Sequence, residues 1–139
     1  MIVLDTNVIS ALMRPDMNPT VVSWLDRQTS SIVWITAISV LEVRSGLFLL
    51  PDGKRKSGLL ERFDQFLRDE IVGRVLPFDR NAAEAASILS AKRIAVGRNI
   101  DRMDTQIAGI VVSRRAVLAT RNIKDFNGLD IPLVNPWQD

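Results

Sequence analysis

Short apolar runs alternate along the chain with longer stretches that have helical spacing. Each run is bounded by polar or turn residues, and the five runs are Ile2–Leu4, Ile32–Ile35, Val75–Leu76, Ala116–Ala119 and Leu133–Val134. Runs of this kind are typical of parallel strands that are buried on both faces. The pattern therefore predicts five strands.

The segments between the runs carry apolar residues three and four positions apart, which predicts helices. We expect these helices from Asn7 to before Pro15, from Pro19 through Leu25, from Thr36 to Gly46 or Leu50, from Lys54 to Ile71, from Asn81 to Val96, and from Asp101 to about Ser113. Asn7, Thr36, Asp79 and Asp101 are the predicted N-caps. Because strands that alternate with helices need crossover connections, we predict a single α/β domain over residues 1–139, with a mainly parallel five-stranded sheet and helices on both faces.

The chain contains no histidine and no cysteine. This excludes Ser-His-Asp and Cys-His catalysis, a zinc site of histidines or thiolates, and histidine acid-base cleavage of RNA. A bound metal would have oxygen ligands only, which favours Mg²⁺ or Mn²⁺. Hydrolytic chemistry would therefore depend on carboxylates, amides, hydroxyls and bases such as Lys or Arg.

No apolar segment approaches the length needed to span a bilayer, and no basic region precedes a long apolar run. We therefore expect a soluble, cytoplasmic protein without a membrane partner. The net charge of +2 is small, although the 18 Lys and Arg side chains could attract an anionic polymer if they were gathered on one face. Charge alone is weak evidence for nucleic-acid binding.

Four acidic residues fall near predicted junctions of strand and helix, and these are Asp5, Glu42, Asp101 and Asp104. Such junctions converge at one edge of a parallel sheet, which is where open α/β sheets bind ligands. Two carboxylates 4 Å apart repel each other by roughly 4 kcal/mol at an effective dielectric constant of 20. A convergent set would therefore need a cation or a proton.

Each acid also has a simpler interpretation. Asp5 and Asp101 could be helix caps, and this is the interpretation that we favour for Asp101. Glu42 could be a surface residue paired with Arg44, and Asp104 could stabilise a helix N-terminus from the surface. Only the set of four makes a site more plausible than these alternatives.

The segment Thr120-Arg121-Asn122 follows the fourth predicted strand, and Asp125 lies three residues farther on. Asn122 could offer an oxygen to a metal or form a turn. Several basic residues flank the acids in sequence, among them Arg121, and would suit a phosphate backbone.

Four motifs occur in order along the chain: Leu4-Asp5-Thr6-Asn7, Ala37-Ile38-Ser39-Val40-Leu41-Glu42, Asp104-Thr105-Gln106-Ile107-Ala108 and Ala119-Thr120-Arg121-Asn122. In order and spacing they resemble the PIN-domain ribonucleases, in particular the VapC-type toxins of bacterial toxin-antitoxin pairs. The ending Asn135-Pro136-Trp137 is similar to that of the FitB-like branch.

The resemblance implies a homodimeric ribonuclease that is inhibited by a cognate antitoxin and cuts RNA with a water activated by Mg²⁺ or Mn²⁺. It implies that Asp5, Glu42 and Asp104 are the catalytic acids and metal ligands. Thr6, Asn7, Thr120 and Asn122 would be supporting residues. Asp101, which matches no core position of the motif, is an auxiliary candidate, as are Asp125 and Arg121. Asn122 stands where the family often has a fourth acid, so one metal site is expected unless Asp125 contributes.

Two other functions are compatible with parts of this pattern. Phosphotransferases of the haloacid dehalogenase type also have a nucleophilic aspartate after a first strand, but they need a second aspartate where this chain has Asn7. A non-catalytic module would use the acids only to bind basic side chains of an antitoxin or would bind nucleic acid without cutting it. A covalent aspartyl-phosphate would identify the phosphotransferase, and loss of RNA cutting in Asp5→Asn would favour the nuclease.

Overall fold

A computed structural model describes residues 1–98 and 101–138. The strands are β1 (Ile2–Leu4), β2 (Val33–Thr36), β3 (Val75–Leu76), β4 (Val117–Ala119) and β5 (Leu133–Val134). All neighbouring strands pair in parallel, in the order β3-β2-β1-β4-β5. The predicted α/β class and the five strands are confirmed, and β2 and β4 each begin one residue later than predicted.

The described residues form seven α-helices: α1 (Thr6–Met13), α2 (Pro19–Asp26), α3 (Ala37–Phe48), α4 (Lys54–Gln65), α5 (Arg80–Ala95), α6 (Arg102–Ser113) and α7 (Ile123–Phe126). Apolar side chains of the sheet and helices form two buried clusters, one containing Val3 and Ile107, the other containing Leu4 and Phe63. Because adjacent residues of β1 belong to different clusters, the two faces of the sheet are both covered. Among the described residues, no helix has the length and apolar character needed to cross a membrane.

Three helix predictions need correction. Asn7 does not cap α1, because the carboxylate of Asp5 accepts the backbone N–H of Thr6 and takes that place. The segment predicted as one helix to Ile71 is α-helical only to Gln65 and continues as a π-helical turn, Phe66–Ile71. Helix α7 was not predicted, since four residues are too short for helical periodicity to show.

The chain leaves β1 toward β2 on one side and returns to β4 on the other. The carboxyl ends of β1 and β4 therefore flank a switch point, where open α/β sheets form ligand-binding crevices. Helix α6 follows α5 and packs closely against it at Gly109, where an added Cβ would lie 2.5 Å from the carbonyl oxygen of Ala82. This packing fixes α6, whose first turn carries Asp104.

Candidate active site

Asp5 occupies the end of β1 at the switch point and is only 3% exposed. One carboxylate oxygen accepts the N–H of Thr6 at 2.8 Å. The other accepts the hydroxyl of Thr120 at 2.8 Å and the amide of Asn7 at 3.3 Å. Burial raises the pKa of Asp5 above its ordinary value, while the hydrogen bonds from Thr120 and Thr6 oppose that rise.

The hydroxyl of Thr120 joins β4 to this arrangement. It donates to Asp5 and accepts hydrogen bonds from the side-chain amide of Asn7 and the backbone N–H of Asn122, at 3.3 and 3.0 Å. One donor and two acceptor positions are all that a hydroxyl offers, so Thr120 is saturated. The side chain is fully buried and is therefore a structural support for Asp5.

Glu42 is half-buried on α3 and points toward α1. Its carboxylate accepts the hydroxyl of Thr6 at 2.7 Å, and that hydroxyl is 2.8 Å from the hydroxyl of Ser39. Because the Thr6 proton is used on Glu42, Ser39 is the donor in the second bond. Arg44 pairs with Asp64, so the surface ion pair between Glu42 and Arg44 does not form.

Asp104 lies in the first turn of α6 and is half-buried. Burial first, and then the negative charges of Asp5, Asp101, Glu42 and Asp125, raise its pKa from 3.8 to about 7. Within residues 1–98 and 101–138, no side chain donates a hydrogen bond to this carboxylate. Among the described residues, the Asp104 carboxylate therefore has neighbours that repel its charge and no side-chain donor that offsets it.

Asp5, Glu42 and Asp104 line a single cleft of about 730 Å³. The cleft is also lined by Thr6, Asn7, Asn122 and Arg121. The structure thus brings together the three predicted acids and most of the predicted supporting residues. Their catalytic and ligand roles stay predictions.

Two auxiliary candidates have different places. Asp101 is exposed and caps α6, accepting the backbone N–H groups of Met103 and Asp104 at 3.1 and 3.2 Å. Asp125 is exposed in the first turn of α7 and is not part of the cleft lining, although its charge contributes to the raised pKa values of Asp5 and Asp104. Asp101 is thus a helix cap, as its simpler interpretation predicted, and Asp125 acts on the cleft at a distance.

Ser39 is a site residue that the sequence reasoning missed. It is fully buried, its N–H donates to the Thr36 hydroxyl at 3.0 Å, and its hydroxyl supports Thr6. A signal was present, because Ser39 precedes Glu42 by three residues and so lies on the same face of α3. The spacing alone does not distinguish this role from that of an ordinary residue in the first turn.

The cleft fits a divalent cation in its chemistry. Its lining offers carboxylate oxygens, those of Asp5 and Glu42 held by neutral hydrogen-bond donors, and no described Lys or Arg forms an ion pair with Asp5, Glu42 or Asp104. In the described part of the chain, no three acidic side chains have the spacing of a ready-made metal cage. Because Mg²⁺ is usually bound by one or two carboxylates together with several waters, a magnesium site does not need such a cage.

The fold and the site define a parallel α/β domain with an acidic cleft at the sheet's switch point. The PIN domain family matches residues 2–130. The chain is 36% identical to VapC ribonuclease Y4jK of Sinorhizobium fredii over 138 residues, covering 99% of both proteins. It is 39% identical to Toxin FitB of Neisseria gonorrhoeae over 139 residues, covering all of both.

A structural comparison agrees with the sequence matches. The crystal structure of FitAcB from Neisseria gonorrhoeae aligns over all of both chains with a TM-score of 0.92 and 38% identity. The chain belongs to the PIN domain family, in the branch that contains these VapC and FitB proteins. The resemblance seen in the four sequence motifs is confirmed. Membership of the PIN domain family argues against the alternative of a phosphotransferase of the haloacid dehalogenase type.

Proposed function

We propose that the protein is the toxin of a toxin-antitoxin pair and cuts RNA internally with the help of Mg²⁺ or Mn²⁺. One observation carries the proposal: three carboxylates line one cleft, and burial, followed by repulsion from the surrounding acids, raises the pKa of Asp104 to about 7. The relatives named as VapC ribonuclease and Toxin FitB support the activity and the biological class. An RNA substrate also suits action in the cytoplasm.

Asp5, Asp104 and Glu42 would hold the cation, with Glu42 reaching it directly or through water. A bound divalent ion would polarise a phosphodiester oxygen and lower the pKa of an attacking water. The chain's own residues hold the acids in place: Thr120 and Asn7 orient Asp5, and Thr6 orients Glu42. Since the chain has no histidine, a carboxylate of the cleft would accept the proton of the attacking water.

A protein antitoxin has a suitable binding surface next to the cleft. A groove of about 480 Å³ between α1, α3 and α4 includes Met13, Leu47 and Leu59 and shares Thr6 and Glu42 with the cleft. We propose that an antitoxin segment buries apolar side chains in this groove and extends a basic side chain toward Glu42. Such a segment would exclude RNA from the cleft and at the same time compensate the negative charge of its acids. A homodimer of the toxin is part of the same proposal.

The test is cleavage of a labelled RNA mixture by purified protein free of antitoxin, with Mg²⁺ or Mn²⁺ and with chelator. Asp5→Asn keeps the shape of the buried side chain and should abolish cutting. Glu84→Gln is the matched control, because it removes an exposed carboxylate outside the cleft. Cutting that survives in Asp5→Asn or in chelator would contradict the proposal. A protein that binds antitoxin but cuts nothing would be a binding module.

A further inference from the structure

The C-terminal turn places an aromatic ring beside the acidic cleft. Strand β5 pairs with β4 so that Val134 lies opposite Ala119, and the turn that follows is held by the side chain of Asn135, which accepts the N–H of Trp137 at 3.0 Å. Trp137 packs against the core cluster that contains Leu4. The indole is therefore fixed at the rim of the cleft, of which it forms part of the lining.

Arg121 lies against this ring. Its guanidinium carbon is 5.1 Å from the centre of the Trp137 ring, which is a cation-π distance. Its backbone N–H donates to the side-chain oxygen of Asn7 at 3.2 Å, and it directly follows Thr120. The backbone of Arg121 is thus anchored next to Thr120, whose side chain contacts Asp5, while the side chain of Arg121 is exposed.

The guanidinium does not neutralise the acids next to it. No carboxylate in the described part of the chain forms an ion pair with Arg121, although Asp5, Glu42 and Asp104 line the same cleft. The contact with Trp137 offers a physical reason, because the indole holds the charge at the rim. Among the described residues, no carboxylate therefore occupies the N–H donors of Arg121, which can be offered to a ligand.

A nucleic-acid strand brings further negative charge to a cleft that is already acidic. A cation bound by the acids would compensate the charge of the scissile phosphate. The phosphates next to it in the strand would need a positive group at the rim of the cleft. An arginine presents a planar set of donors that fits a phosphate group, and the same plane stacks on aromatic rings. Arg121 meets both conditions.

We propose that Trp137 holds the guanidinium of Arg121 at the rim of the cleft so that it binds a backbone phosphate of RNA next to the scissile one. Arg121 is then a substrate-binding residue, and Trp137 is a positioning residue that acts through it. The proposal rests on the proposed ribonuclease function for the identity of the strand. Its binding step can nevertheless be measured without any cutting.

The experiment measures the affinity of a short fluorescent single-stranded RNA by anisotropy, in an Asp5→Asn background that cannot cut. We expect Arg121→Gln to weaken binding about tenfold and to lower the dependence of log Kd on log salt by about 0.7, as expected for one lost phosphate contact. Arg68→Gln is the control, since this exposed arginine is outside the cleft. It should change neither quantity.

Trp137 is tested by paired substitutions in the same assay. Trp137→Phe keeps an aromatic face and should bind RNA nearly as well as the parent. Trp137→Leu should weaken binding, and Arg121→Lys should do so as well, because an ammonium keeps the charge but does not stack. The double variant Arg121→Gln with Trp137→Leu should bind no more weakly than Arg121→Gln alone. Thermal melts identify any variant that has lost its fold. If Trp137→Leu does not fold, the two single variants Trp137→Phe and Arg121→Gln still test the pair.

In the protein with Asp5 intact, Arg121→Gln and Trp137→Leu should raise KM for a short RNA and leave kcat within about twofold. The reason is that the contact is made equally before and during the reaction. An unchanged Kd and salt dependence in Arg121→Gln would overturn the proposal. A double variant weaker than Arg121→Gln would mean that Trp137 contacts RNA itself. Weaker binding of antitoxin, with RNA affinity unchanged, would assign the pair to the protein partner instead. If RNA binding depends on Arg121 but the protein with Asp5 intact cuts no RNA, the nuclease function alone is refuted.

Discussion

Replacing Asp104 by asparagine should stabilise the metal-free protein while it abolishes RNA cutting. The pKa of this carboxyl is raised from 3.8 to about 7 by burial and by the surrounding acids. At about 1.4 kcal/mol per pKa unit, ionisation of Asp104 in the folded protein then costs roughly 4 kcal/mol. Solvent screens a half-buried side chain, and we expect about 2 kcal/mol to be measurable.

The sign follows from the two states of the protein. In the unfolded chain Asp104 loses its proton near 3.8, whereas in the folded protein it keeps the proton to a higher pH. The fold is therefore penalised progressively as the pH rises above about 4, and the full cost is present above about 7. Asparagine does not ionise, so the gain of Asp104→Asn should be small at pH 4 and complete at pH 8.

Urea unfolding in chelator at pH 4 and pH 8 measures this difference. Asp130→Asn is the matched control, because Asp130 is exposed, its charge is not among those that raise the pKa of Asp104, and asparagine adopts its positive φ as readily as aspartate does. It should change the free energy of unfolding by less than about 0.5 kcal/mol. Equal stability of Asp104→Asn and wild type at pH 8, or a gain of the same size at pH 4, would refute the electrostatic reasoning.

Two further predictions concern the packing that supports the site. Gly109→Ala should cost about 1 to 3 kcal/mol in urea unfolding, because its Cβ would lie 2.5 Å from the Ala82 carbonyl oxygen; an unchanged unfolding midpoint would mean that α5 and α6 can separate freely. Arg93→Met should cost about 1 to 3 kcal/mol, because the buried guanidinium donates to the carbonyl oxygens of Asp125 and Asn127, which the substitution leaves without that donor. Faster amide exchange in α7 would accompany that loss, and unchanged exchange there would contradict it.

The sheet could be predicted because its strands are short apolar runs whose burial on both faces makes them distinct in the sequence. The helix ends were predictable where a capping side chain is local, as with Thr36 and Asp79. The π-helical turn Phe66–Ile71 was not, because its apolar spacing is compatible with a continuing α-helix. Arg93, which donates to the carbonyl oxygen of Asp125 in α7, is distant in sequence and gives no local signal for this helix.

Within the site, sequence reasoning could find residues that carry charge but not the hydrogen bonds between them. Asp5 was recognisable from its position after an apolar strand. The hydroxyl pair of Thr6 and Ser39 forms only when α1 and α3 pack together, across 33 positions of sequence. The same limit applies to Trp137, whose contact with Arg121 depends on the pairing of β4 with β5.

Neutral groups hold two of the three acids of this cleft, Asp5 and Glu42, and leave their negative charge available. Asp5 accepts from a hydroxyl, a side-chain amide and a backbone N–H, and Glu42 accepts from a hydroxyl. An arginine or lysine in any of these positions would orient a carboxylate equally well, but it would also cancel the charge that attracts a metal ion. Arg121, a basic residue that lines the same cleft, is instead stacked on Trp137 at the rim. Neutral donors thus position the carboxylates inside the cleft, while the positive charge lies at its rim. A metal ion and a phosphate strand would both require this arrangement.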